Sequence, residues 1–506
     1  MTQIGRICFR LLCRLLRKTR RHFPKKRLLW GFSCPPGTEG VPRLKSADSA
    51  TALPSSIFGA SKAALTVLAV VCVMNLLARG IMETHAIFML SLEQEFEWSR
   101  TEVSGIYSIA MLTFGLTGPA VGFLLDRLGP PKVYTLGLLL IIAGLGLSSI
   151  SDSLWVFRIS QGLMMGFGAG CLSTVSLTAL LSRWFQNFLS IAMAFAYAAT
   201  GIGIMFFSPL VEMLNAEIGW RHGYQSLALI GLAALPLTFV LYRLKADEGN
   251  PVLLERIVKS GGPNPRLKGI KVFQAIRRVE FWGLTWVYFM TGVGSFTVLL
   301  QTPAHLVEMG YSTAFAARAF GFLGLLSPLG IIGITVLSRH FGQTPVILVS
   351  YGLSFFGVVF LLLFEQTSSL FLLFLFILFY GGTFGCRAPA IGNLAAQNFN
   401  GPSMGRIYGL ITIASGLGAA AGAYLGGFFF ELTGQYHYGA FFRCACFLLV
   451  ICLSGSYQAS LVGKPEDIIF CTENFYDCSP CPRFETSNPA NRRKASHCRC
   501  VWQSRG

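Results

Sequence analysis

Apolar residues in this chain come in runs of membrane length, separated by short polar stretches. The runs fall near 64–89, 101–125, 132–150, 154–180, 188–213 and 222–243, then 281–303, 313–338, 344–364, 370–394, 404–430 and 437–457. An α-helix rises 1.5 Å per residue, so a run of about 20 apolar residues crosses the hydrocarbon layer. The period-two alternation of a β-barrel strand is absent from them. The pattern predicts an all-α, polytopic membrane protein of twelve transmembrane helices in two six-helix halves. Residues 1–63 form a basic N-terminal segment, 64–243 the first bundle, 244–280 a linker, 281–457 the second bundle and 458–506 a tail. Twelve spans place both termini and the linker on one side. That side carries the basic residues of 1–45, of 244–278 and of the stretch after Arg483, which marks it as cytoplasmic.

The halves echo each other. Leu125-Asp126-Arg127-Leu128-Gly129 follows the second span, and Ser338-Arg339-His340-Phe341-Gly342 follows the eighth. Thr200-Gly201-Ile202-Gly203 of the fifth span matches Ser415-Gly416-Leu417-Gly418 of the eleventh. A duplicated six-helix unit places a substrate cavity between the halves, near mid-membrane.

Composition agrees with the pattern: 53% of residues are hydrophobic, 13% are charged and mean hydropathy is +0.58. The net charge of +18 sits mostly outside the spans, which is the membrane-protein distribution and not a nucleic-acid surface. No phosphate-cradling Gly-x-x-x-x-Gly-Lys-Ser/Thr loop is present, so ATP does not drive the protein directly, and no hydrolase or zinc-helix motif points to an enzyme. No cofactor is implied. Cys478, Cys481, Cys498 and Cys500 in the tail have spacing a zinc ion could use, but an incidental origin in a Pro/Arg-rich tail is the preferred reading, and no metal site is expected.

The turn between the second and third spans reads Gly122-x-x-x-Asp126-Arg127-x-Gly129-x-x-Lys132. A carboxylate and bases at helix ends can bridge to neighbouring helix termini and so latch one conformation. An ordinary charged turn is the other reading. The wording resembles the corresponding loop of the major facilitator superfamily. Phe96-Glu97-Trp98-Ser99-Arg100, Arg158-x-x-Gln161-Gly162, Arg183-Trp184-Phe185, Gly219-Trp220-Arg221 and Gly405-Arg406-Ile407-Tyr408-Gly409 narrow it further. They resemble the monocarboxylate porter and oxalate/formate-antiporter-like branch. That resemblance implies the major facilitator fold, alternating access, and a small carboxylate substrate with proton coupling. It also implies an arginine in the eighth span as anion contact, but this chain has Gly330-Ile331 there.

Ionisable residues at bilayer depth are costly unless paired or hydrated, so each is a functional candidate. Arg79, Glu83 and His85 lie in the first span, and Arg79 and Glu83 share a helix face. They form either a self-neutralising pair or a site where Arg79 binds a substrate carboxylate and Glu83 or His85 exchanges a proton. Arg387, in the glycine-rich tenth span, either joins Arg79 in clamping the anion or reaches the cytoplasmic interface. Arg158, Gln161 and Gly162 serve helix packing or coupling. Glu212, His305, Glu308 and Arg318 lie near outer span ends and are expected to be solvated or snorkelling.

The sequence thus predicts a secondary transporter of small organic anions, whose partners are that solute, protons and the bilayer, in the plasma (inner) membrane. An exporter of neutral or amphipathic compounds is the competing reading, and the absent eighth-span arginine favours it.

Overall fold

The computed structural model describes residues 62–185, 189–244, 272–399 and 404–434. The N-terminal segment, most of the linker, the tail with its cysteines and the twelfth predicted span lie outside these residues. Nine helices among the described residues are long and apolar enough to cross a membrane.

One of them is too long to cross once. Leu189–Arg243 has 55 residues, about 80 Å at 1.5 Å per residue. It is two helices that meet at Gly219, whose φ of +79° and ψ of 161° are not helical and reverse the chain. Asn215 before the turn donates to Ser91 Oγ at 3.4 Å, and Arg221 after it contacts Asp152 at 2.7 Å. Gly231 then packs against Ile142, so the second limb runs back along its neighbour. Splitting the run at Gly219, and counting the interrupted helix of 370–398, places eleven of the twelve predicted spans among the described residues.

The first span is α1 (Lys62–Glu83) followed by α2 (His85–Phe96), with a single irregular residue, Thr84, between them. The second is α3 (Arg100–Leu128), the third α4 (Pro130–Ser149). The fourth is α5 (Leu154–Phe157), a π-helical stretch Arg158–Met164, α6 (Met165–Cys171) and α7 (Thr174–Trp184). α8 (Leu189–Arg243) supplies the fifth and sixth, and the short α9 (Val272–Ile276) leads into the second half. There α10 (Val279–Leu299) and the short α11 (Thr302–Glu308) form the seventh span, α12 (Thr313–Phe341) the eighth and α13 (Gln343–Thr367) the ninth. The tenth is α14 (Leu370–Phe376), a π stretch Ile377–Gly381 and, after a break, α15 (Arg387–Asn398); the eleventh is α16 (Met404–Thr433).

The duplication goes deeper than the sequence echo. α3 and α12 are both 29 residues long, both are N-capped by serine (Ser99, Ser312) and both contain one proline. Both end in a glycine with the same backbone, Gly129 (φ 77°, ψ 161°) and Gly342 (φ 83°, ψ 161°). The two π stretches fall in the fourth and tenth spans, equivalent positions in the two halves. The halves meet along two helix pairs, α3 with α16 and the first limb of α8 with α12. A Cβ on Gly115 would lie 2.5 Å from Gly416 Cα, and one on Gly201 would lie 2.2 Å from the Gly324 carbonyl oxygen. The matched Gly201 and Gly416 motifs are therefore equivalent contacts between halves, which small residues permit.

Candidate functional site

The last turn of α1 carries a buried polar cluster. Arg79 donates to Glu83 Oε1 at 2.5 Å, one turn further on. Glu83 is 2% exposed, and its other oxygen accepts from the Tyr107 hydroxyl of α3, also at 2.5 Å. The Arg79 guanidinium lies over the Phe114 ring at 4.9 Å and touches Met82 Sδ. One carboxylate thus has a cation on one oxygen and a phenol on the other, and sits where water scarcely reaches.

His85 belongs to the same neighbourhood but faces elsewhere. Its Nε2 lies 3.1 Å from the Val103 carbonyl, and a carbonyl only accepts, so Nε2 carries the proton there. The ring stacks on Tyr107 with centroids 5.6 Å apart. Tyr107 is therefore the shared neighbour of Glu83 and His85, a residue that sequence reasoning did not single out. A tyrosine inside an apolar span needs a partner for its hydroxyl, which is the signal that could have found it.

Arg387 sits at the start of α15, just after a break at Gly382–Cys386 in which Gly385 has φ +76°. The glycines of the tenth span do interrupt the helix beside it. Its guanidinium is buried and turned onto α13: Nε donates to Ser350 Oγ at 3.2 Å, and the same head group reaches the Ser350 carbonyl at 2.9 Å and Ser354 Oγ. It stacks over Tyr351 at 4.3 Å. The two arginines are thus engaged by different partners, each within its own half. Aromatic rings connect the clusters: Tyr107 meets Phe296 at 6.2 Å, and Phe296 meets Phe384 at 6.1 Å, three residues before Arg387.

In the latch sequence, Gly129 makes the joint between α3 and α4, and Gly122 has open space beside it. Arg127 lies over Phe123 of its own helix at 4.2 Å, and Lys132 is exposed. The Asp126 side chain lies outside the described residues. Gln161 and Gly162 sit in a packed seam: Gln161 donates to Ser148 Oγ at 2.8 Å, and a Cβ on Gly162 would meet Ile109 at 2.7 Å. Arg158 stands over Trp155 at 4.7 Å. Of the residues expected to be solvated or snorkelling, His305 departs from that expectation and is buried. Glu308, 37% exposed, pairs with Arg100 of the other half at 2.8 Å, and the half-buried Glu212 accepts from Thr313 of the other half at 2.6 Å, so solvent still reaches both carboxylates. Arg318 is exposed, as expected.

The family description "Major Facilitator Superfamily" matches residues 68–423 and 329–461. The chain belongs to the major facilitator superfamily. It is an integral, multi-pass transporter and not an enzyme. This facilitator is 24% identical over 398 residues to monocarboxylate transporter 13 of Bos taurus, covering 77% of this chain and 89% of that protein. It is 26% identical over 373 residues to monocarboxylate transporter 13 of Rattus norvegicus, covering 73% and 83%. The crystal structure of a D-xylose-proton symporter superposes with a TM-score of 0.60 at 16% identity, covering 77% of this facilitator and 97% of that chain. At that identity the likeness concerns the fold.

Proposed function

We propose that this facilitator carries small organic anions, monocarboxylates foremost, together with a proton. The observation that carries the reading is the Arg79–Glu83–Tyr107 cluster. A membrane interior tolerates this site only if its charges nearly cancel. With Glu83 ionised, Arg79 is neutralised by its own helix and has no need of an anion. With Glu83 protonated, the guanidinium loses its counter-charge, and a substrate carboxylate restores neutrality. Proton and anion then bind together or not at all, which couples their movement. The monocarboxylate names of the relatives support the substrate class.

Arg387 enters as the positive charge of the second half. Its named partners are hydroxyls and a carbonyl, neutral groups that a carboxylate could displace. The 122–132 turn acts as the latch on the cytoplasmic face. The basic segments support cytoplasmic termini in a plasma (inner) membrane.

The test is uptake of labelled lactate, pyruvate, formate and oxalate into proteoliposomes, with and without an inward proton gradient. Glu83→Gln is expected to keep substrate exchange and lose gradient-driven accumulation. Accumulation that survives this change removes Glu83 from coupling. The second reading, export of neutral or amphipathic solutes, is favoured by position 331. Ile331 is buried, and the neighbouring Gly330 is pressed against the Gly382 carbonyl. Transport of neutral solutes alone would establish that reading.

A further inference from the structure

We propose that Arg100 is the lock that holds one face of this transporter shut, and that the transport cycle must break it. The inference rests on transport by two halves, which family membership supplies, and not on the nature of the solute or on Arg79.

Arg100 is the first residue of α3, and its backbone is fixed by a reciprocal cap. Ser99 Oγ accepts from the Glu102 amide at 3.2 Å, and Glu102 Oε2 accepts from the Ser99 amide at 3.0 Å. From this anchor the guanidinium bridges two carboxylates. Nε meets Glu93 of α2 at 2.7 Å, within its own half. NH2 meets Glu308 of α11, in the other half, at 2.8 Å. The same head group lies over Phe430 of α16 at 4.6 Å. The Arg100 side chain is 8% exposed and Glu93 14%, while Glu308 is 37% exposed, so solvent reaches the arm between the halves from the carboxylate side only.

The backbone closes around it. A Cβ on Gly427 of α16 would fall 2.8 Å from the Arg100 carbonyl oxygen and 2.7 Å from Ser104 Oγ. Gln301 donates across the halves to Ser104 at 3.0 Å, and Thr101 N–H reaches Glu431 at 3.3 Å. These contacts join the two halves at the Arg100 end. A small cavity of about 170 Å³ is lined by residues of both halves, among them Ser91, Glu212, Asn215, Pro303 and Thr313, with Val307 next in sequence to Glu308. Parting the halves widens it, so Ser91 on its wall reports their separation.

The test uses the full chain in proteoliposomes with Ser91→Cys as reporter. Alkylation by a membrane-impermeant maleimide is measured as the excess over the same chain retaining Ser91. Arg100→Gln is expected to speed labelling about tenfold. Glu308→Gln, which cuts only the arm between halves, should do nearly as much. Glu93→Gln, which leaves that arm intact, should change it less than about twofold. Unchanged labelling in both Arg100→Gln and Glu308→Gln overturns the lock. So does an equal rise in Glu93→Gln and Glu308→Gln, which would make the triad local glue within the first half. Failure of Arg79→Gln to affect uptake would leave this result untouched.

Discussion

The two buried arginines teach different lessons. Arg79 is matched with a carboxylate one helical turn away, so its charge is answered locally. Arg387 is held by a serine hydroxyl and carbonyl, a second hydroxyl and an aromatic face on a neighbouring helix. Those groups solvate a cation without titrating. On the proposed reading, Arg79 faces a carboxylate in the first half, and Arg387 faces these neutral groups in the second.

The comparison breaks most readily at Arg79. Arg79→Gln removes one member of a buried pair, a loss of about 3–5 kcal/mol where the partner stays charged. Carboxylate uptake should fall about a hundredfold, and wild-type uptake would dissolve the contrast. Tyr107→Phe removes a hydrogen bond to a charged group, worth about 1.5–3 kcal/mol. Uptake in the neutral range should change about tenfold. Unchanged uptake would mean that the Tyr107–Glu83 bond does not serve transport.

Arg387→Met is expected to act on stability as well as transport. It removes the hydrogen bonds to Ser350 and Ser354, whose hydroxyls keep Ile347 and Thr383 as partners, so the cost is about 0.5–1.5 kcal/mol, which thermal unfolding in detergent would detect. If it abolished carboxylate uptake while leaving unfolding unchanged, Arg387 would be a substrate contact and not a scaffold. Ser354→Ala is the smallest change, about 1 kcal/mol of stability with uptake nearly retained. A large transport defect there would show that orienting Arg387 matters more than its charge.

Much of this was legible before any coordinates. Apolar runs gave the spans, and the paired motifs at 125–129 and 338–342 indicated the duplication that the matched Gly129 and Gly342 joints display. Spacing put Arg79 and Glu83 on one face because residues four apart lie one turn apart. Spacing could not supply Tyr107, which comes from another helix, or the serines that hold Arg387. Glu308 and Glu212 looked like ordinary span ends, and solvent does reach them; spacing could not show that each also pairs with the other half.

The sequence by itself determined what the bilayer demands of each segment: length, hydropathy, charge placement and the repeat. Those are properties of one helix in one solvent, and a linear pattern encodes them. Only the tertiary structure decided which buried charges meet which partners, where Gly219 turns the fifth span back into the sixth, and which groups of α3 and α16 meet across the halves. The reason is that pairing energies depend on atoms from helices far apart in the chain, and burial removes the water that would otherwise make such pairings indifferent.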